Sequence, residues 1–309
     1  MPRREAGVEI KKKESKITGI LKLLLKLVIT ALCFWYIATK IDFGNALNAL
    51  LKANWIFLFI ALLFFVLSKI LSAFRLNIYF RNIKLWLPEW TNIKLYWLGM
   101  FYNLFLPGAI SGDAYKVILL NRRYKISYKK TSSAVLLDRF SGVLALGVIL
   151  CIYGIIVLGN YKYDVLLIFL AVLAFAGFYF VIRFLFKSFL RSFFPTFFWA
   201  LGVQLSQVIC VYFILLSLGI PLTQHDWIFI FLMAAVISIL PISLGGGLGT
   251  REVVFAEGAR FFLLNPQTGV IISLLFYLLT VIGSIWGLYY HFHDPLRDVP
   301  EDSDSVIGA

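Results

Sequence analysis

The residues best placed to do chemistry in this sequence are a few charged side chains set among apolar neighbours: Asp113 with Lys116, Asp138 with Arg139, and Arg251 with Glu252. A charge in the middle of a membrane-inserted helix costs about 3 kcal/mol on insertion scales, and less towards its ends. Charges retained there normally turn inward and pair, so Arg139 is expected to meet Asp113 or Glu252. A guanidinium also presents a planar fork that matches two phosphate oxygens. Arg139 and Arg251 are therefore the first candidates for holding an anionic group, with Asp113, Lys116, Asp138, Glu252 and Asn103 around them. The competing explanation is a near-surface pair whose long stems carry the charge back to water.

Two clusters of helix-breaking residues accompany these charges. Pro107-Gly108 is followed by Gly112, and Pro241 by Gly245, Gly246, Gly247 and Gly249. Proline removes a backbone donor and ends a helix, while glycine permits turns and close approach. The helix that restarts after each cluster would offer a positive dipole end to an anion. Tight helix packing alone is the rival explanation for such glycines.

Weaker candidates surround them. Gln204 and Gln207 share a helix face and suit bonding across helices. Tyr102 and Glu257 flank the breaks. Lys69 and Arg260 read as side chains reaching for the membrane surface. His291, His293 and Asp294 include metal-ligand types, but histidines leaving a membrane helix explain them better, and no metal or cofactor is expected. No nucleotide-binding loop, nucleophile elbow or zinc-protease motif occurs.

The elements that must position these residues follow from composition. Of 309 residues, 61% are hydrophobic and 15% charged, against about 45–50% and 25% in soluble domains. Apolar runs lie at 20–38, 54–73, 132–158, 164–182, 196–218 and 268–290, each near the ~20 residues that cross ~30 Å of hydrocarbon. The first is too long for a cleaved signal and reads as a retained helix. The expected fold is all-α: a polytopic membrane protein with about six full spans and two re-entrant or broken-helix hairpins, over 95–120 and 227–264. A basic segment (1–19) precedes the membrane domain (20–292), and a short acidic tail (293–309) follows it. Cys33, Cys151 and Cys210 lie within apolar runs with no disulfide or metal spacing.

The net charge of +13 raises the question of nucleic acid, yet the basic residues fall in short runs between apolar stretches, as topology signals do. With six spans and a cytoplasmic N-terminus, the outer loops keep only Lys40, Lys52 and Lys162. Arg75, Arg81, Lys84, Lys94 and the run from Lys116 to Lys130 then fall on the cytoplasmic side. The first hairpin enters from that side and the second from the other, which suggests an inverted repeat. No nucleic-acid module is present.

At these same positions, Asn103-Leu-Phe-Leu-Pro107-Gly108, Ser111-Gly112-Asp113-Ala-Tyr-Lys116, Asp138-Arg139 and Gly246-Gly247-Leu248-Gly249-Thr250-Arg251-Glu252, the chain resembles the lysylphosphatidylglycerol synthase transmembrane-region family, also called flippase-like. The likeness extends over about residues 15–292. It implies several helices with re-entrant elements and, in some members, movement of aminoacylated phosphatidylglycerol between leaflets. Other members are linked to polyprenyl-phosphate or glycan assembly. Ending at Ala309 without a transferase domain, the chain is not expected to transfer amino acids. Lys116 stands where many relatives carry arginine.

The resulting expectation is a protein of the inner (cytoplasmic) cell membrane that binds, and translocates, an anionic phospholipid or a polyprenyl-phosphate-linked lipid. A membrane enzyme acting on lipid-linked substrates through Asp113, Asp138, Glu252 or Glu257 is one alternative. A scaffold for envelope-biogenesis enzymes is the other.

Overall fold

A computed structural model describes residues 51–105, 111–239, 247, 249–297 and 299. The run at 20–38, the basic N-terminal segment, most of the acidic tail, and Pro107, Gly108, Pro241, Gly245 and Gly246 lie outside the described residues. Among those described, every regular element is a helix: α1 (Trp55–Asn82), α2 (Glu89–Phe105), α3 (Ser111–Tyr124), α4 (Tyr128–Leu158), α5 (Tyr161–Leu185), a 3-10 turn (Lys187–Ser192), α6 (Phe193–Ser217), α7 (Asp226–Ile239), α8 (Thr250–Phe261) and α9 (Pro266–Phe292).

Five helical stretches are long and apolar enough to cross a membrane: α1, α4, α5, the 3-10 turn continued by α6, and α9. They match five of the six apolar runs. The chain is thus an all-α, multi-pass membrane protein. Several spans extend beyond their apolar runs. α1 continues nine residues past position 73, because its last turns pack against protein rather than lipid, and α4 begins at Tyr128, ahead of Lys129 and Lys130.

Local chemistry sets the ends. Asn54, Asn160 and Asn265 precede α1, α5 and α9, and each side-chain oxygen accepts an N–H from the first turn, satisfying one of the donors a helix start leaves unpaired. Pro266 occupies the first helical position of α9, where its missing N–H costs nothing.

α1 and α6 form the spine, antiparallel and packed along their length. The Asn54 N–H meets the Ser217 carbonyl at one end (2.9 Å). The Tyr79 hydroxyl donates to Thr196 (3.0 Å), and the Asn82 amide to Ser192 (2.6 Å), at the other. The end of α1, the start of α4 and the end of α5 line one recess with Lys84, Lys129, Lys130 and Lys187. The opposite ends, of α1, α6 and α9, line another with Lys52. The short helices α2 and α3 leave from the end of α1 and return to the start of α4 on the lysine-rich face. α7 and α8 leave from the end of α6 and return to the start of α9 on the other face. Each short pair packs against itself and against α9 or α4.

α5 stands apart. Ile182 is its one buried residue, and its ring contacts, Phe175 and Tyr179 against Phe193 and Phe197, sit in its C-terminal half.

Candidate functional site

A polar stripe runs down α1. Ser68, Ser72, Arg75 and Tyr79, spaced three or four apart, share one face, and all are buried. From the sequence Arg75 was counted among the cytoplasmic charges beyond the apolar run. Instead it points into the bundle, where its Nε donates to Asp138 Oδ1 on α4 at 2.7 Å. Gly142, one turn beyond Asp138, makes room: a Cβ there would sit 3.1 Å from Arg75 Nη1.

The α2–α3 pair is drawn together by backbone and amide groups. The Gly112 N–H donates to Asn103 Oδ1 (2.9 Å), and the Ser111 hydroxyl to the Tyr102 carbonyl (2.7 Å). Gly112 is required for this approach, since a Cβ there would lie 1.9 Å from the Gly99 carbonyl oxygen. The first-turn amide expected to be open to an anion is therefore occupied by Asn103.

Asp113 follows and holds two cations. Lys116 Nζ reaches its Oδ1 at 3.2 Å, and Arg139 Nε on α4 donates to its Oδ2. Lys116 also lies 4.3 Å from the Tyr96 ring centroid and passes over Gly99. Of the two partners considered for Arg139, the structure selects Asp113; Glu252 belongs to a different cluster.

Arg75, Tyr96, Asn103, Asp113, Lys116, Asp138 and Arg139 together line a cavity of about 140 Å³. Asn103, Asp113, Lys116, Asp138 and Arg139 were all singled out from the sequence, and the fold brings them to one place. Asp113, Lys116, Arg75 and Asp138 have nearly fully buried side chains, whereas that of Arg139 is 35% exposed and links the cavity to the surface. Arg75 was missed as a site residue. The polar stripe on α1 was the signal that could have found it.

The second cluster is built differently. Gly247 and Gly249 have φ of +99° and +85°, a conformation that L side chains avoid, and Gly249 caps α8. Glu252 reaches back so that its Oε2 accepts the Gly249 N–H (2.7 Å), while its Oε1 accepts the Ser273 hydroxyl of α9 (2.8 Å). Both carboxylate oxygens are thereby engaged in holding the start of α8 onto α9. Arg251 is buried beside it, its guanidinium 4.6 Å from the Phe276 ring centroid. Its Nε and Nη2 have no hydrogen-bond partner among the described residues.

Other expectations resolve in detail. Lys69 does not extend towards the end of α1; its ammonium turns back over the Phe65 ring at 4.6 Å, following the tilt of helical side chains towards the N-terminus. Gln204 bonds across helices to the Gly142 carbonyl (3.2 Å). Arg260 pairs with Glu257 at the surface (2.6 Å). His291 bonds the Tyr102 hydroxyl (2.7 Å), His293 stacks on Tyr289, and Asp294 takes Arg123 (2.7 Å).

The family model described as lysylphosphatidylglycerol synthase TM region matches residues 23–195, which take in α1 to α5 and the start of α6. No curated protein matches the chain.

Proposed function

Since more than half of its length matches, the chain belongs to the lysylphosphatidylglycerol synthase TM region family, and from that membership we propose that it is a flippase-like protein that binds the phosphate-bearing headgroup of an anionic lipid and passes it between leaflets. The observation that carries this reading is the charge of the α1–α4 cavity. Arg75, Lys116 and Arg139 face two carboxylates, Asp113 and Asp138, which leaves one positive charge uncompensated. In a low-dielectric interior such a surplus attracts a monoanion strongly, and a phosphodiester is one. Arg139, partly exposed, is the group a headgroup meets first. The acyl chains stay in the bilayer.

The path of the short helices supports the same reading. α2–α3 starts and finishes on the lysine-rich face, and α7–α8 on the opposite face. Two hairpins dipping from opposite sides, beside a sixth span in the N-terminal run, form the proposed architecture. The order long, short, short, long occurs in α1–α4 and again in α6–α9, with α1 and α6 antiparallel, as an inverted repeat requires. The lysine-rich face is assigned to the cytoplasm by the positive-inside rule.

The experiment is a liposome assay of headgroup exposure, using a fluorescent phosphatidylglycerol and a membrane-impermeant quencher, for the wild type and Arg139→Ala. Loss of flipping in the variant, with the fold intact, supports the reading. Equal rates in the two proteins remove the cavity from the mechanism.

A further inference from the structure

The α1–α4 cavity leaves two interior cations aside, Lys69 and Arg251, since neither lines it. They are joined instead by a pair of phenyl rings. Lys69 Nζ lies 4.6 Å from the centroid of Phe65, Phe65 meets Phe276 edge to face (5.8 Å, 83°), and the Arg251 guanidinium lies 4.6 Å from the centroid of Phe276. Glu252, the residue after Arg251, has both oxygens engaged by Gly249 and Ser273. Neither cation has a carboxylate partner among the described residues.

Ring faces compensate a buried cation only in part, and a buried guanidinium lacking hydrogen-bond acceptors is a costly arrangement to keep. The unpartnered nitrogens of Arg251 are also a specific pair. Nε and Nη2 form one edge of the guanidinium, the fork that accepts two oxygens of a single oxyanion. A carboxylate would neutralise Arg251 alone; the second cation favours the more highly charged phosphate group.

We propose that Arg251 and Lys69 form a buried phosphate-binding site, in which two phosphate oxygens take the Nε–Nη2 edge of Arg251 and the Lys69 ammonium supplies the second positive charge. The site is separate from the α1–α4 cavity and stands whether or not that cavity moves lipid. Phosphate reaches it either as a lipid phosphodiester or as a free ion.

The test uses the full chain, purified in detergent and stripped of lipid, with thermal unfolding followed by tryptophan fluorescence. Inorganic phosphate, phosphatidylglycerol in mixed micelles, and diacylglycerol with the same acyl chains are added separately. A ligand that binds only the folded state raises the midpoint. The wild type is expected to be stabilised by at least one of the two phosphate-bearing additives and not by diacylglycerol. Stabilisation by inorganic phosphate identifies a free-ion site; stabilisation by phosphatidylglycerol alone identifies a lipid site. Arg251→Met loses that shift in whole or part, Arg251→Lys loses it because an ammonium lacks the fork, and Lys69→Met reduces it. Without added phosphate, Arg251→Met melts no lower than the wild type, since it removes an uncompensated charge. Full retention of the shift in both Arg251 variants overturns the proposal, as does a wild type that neither phosphate-bearing additive stabilises. Should Arg251→Met not fold, Arg251→Lys decides. Transport is not read, so failure of the flipping assay leaves this result standing.

Discussion

The two short helix pairs share one local grammar and reach opposite electrostatic outcomes. In each, a glycine opens the second helix, an acid lies within its first turn, and a cation stands close by: Gly112, Asp113 and Lys116 in α3, Gly249, Glu252 and Arg251 at α8. Asp113 turns its oxygens sideways, one onto Lys116 of its own helix and one onto Arg139 of α4, and so ties α3 to α4. Glu252 turns its oxygens back onto the Gly249 amide and onto Ser273, serving the backbone. The neighbouring cation is held in the first pair and left with open donors in the second. Where a carboxylate points, more than its presence, decides whether the cation beside it is held.

Substitutions at matched positions test the contrast. Asp113→Asn keeps the shape and removes the charge that Lys116 and Arg139 share. Breaking a buried pair costs about 3–5 kcal/mol, which is expected as the largest fall in unfolding midpoint in detergent. A loss no greater than that of Glu252→Gln would erase the distinction between the acids. Gly112→Ala forces a methyl against the Gly99 carbonyl; overpacking of this kind costs about 1–3 kcal/mol. Faster amide exchange along α3 is its signature, and unchanged exchange would mean that the close approach is dispensable. Gly249→Ala holds an L residue at φ +85° and ψ −54°, a sparsely populated conformation that costs about 1–3 kcal/mol, with the loss showing as fraying at the start of α8. Glu252→Gln keeps an acceptor for Gly249 and a partner for Ser273, so about 1 kcal/mol is expected, read from the same melting curves.

The five spans were legible because lipid contact demands long apolar runs, and hydropathy measures that demand. It could not see where a helix leaves lipid and continues against protein. Arg75 was therefore counted outside the span although α1 runs on to Asn82. The meeting of Asp113 with Arg139 was legible as one of two options, because interior charges pair; choosing between them required the packing of α3 on α4. The Gly112 and Gly249 amides were expected to be open to a ligand. Asn103, nine residues upstream, and Glu252, three downstream, close them, and side-chain direction is what spacing alone leaves open. The reversed course of Lys69 over Phe65 has the same cause.

α5 has a consequence of its own. Its 25 residues extend about 37 Å at 1.5 Å per residue, longer than the ~30 Å of hydrocarbon around it. Aromatic contacts fasten its C-terminal half, while the N-terminal half lies against α4 through Leu167, beside Gly154, and otherwise faces outward. The excess length is accommodated by tilt or by local thickening of the bilayer, and the contacts of α5 with α4 and α6 set how far it tilts.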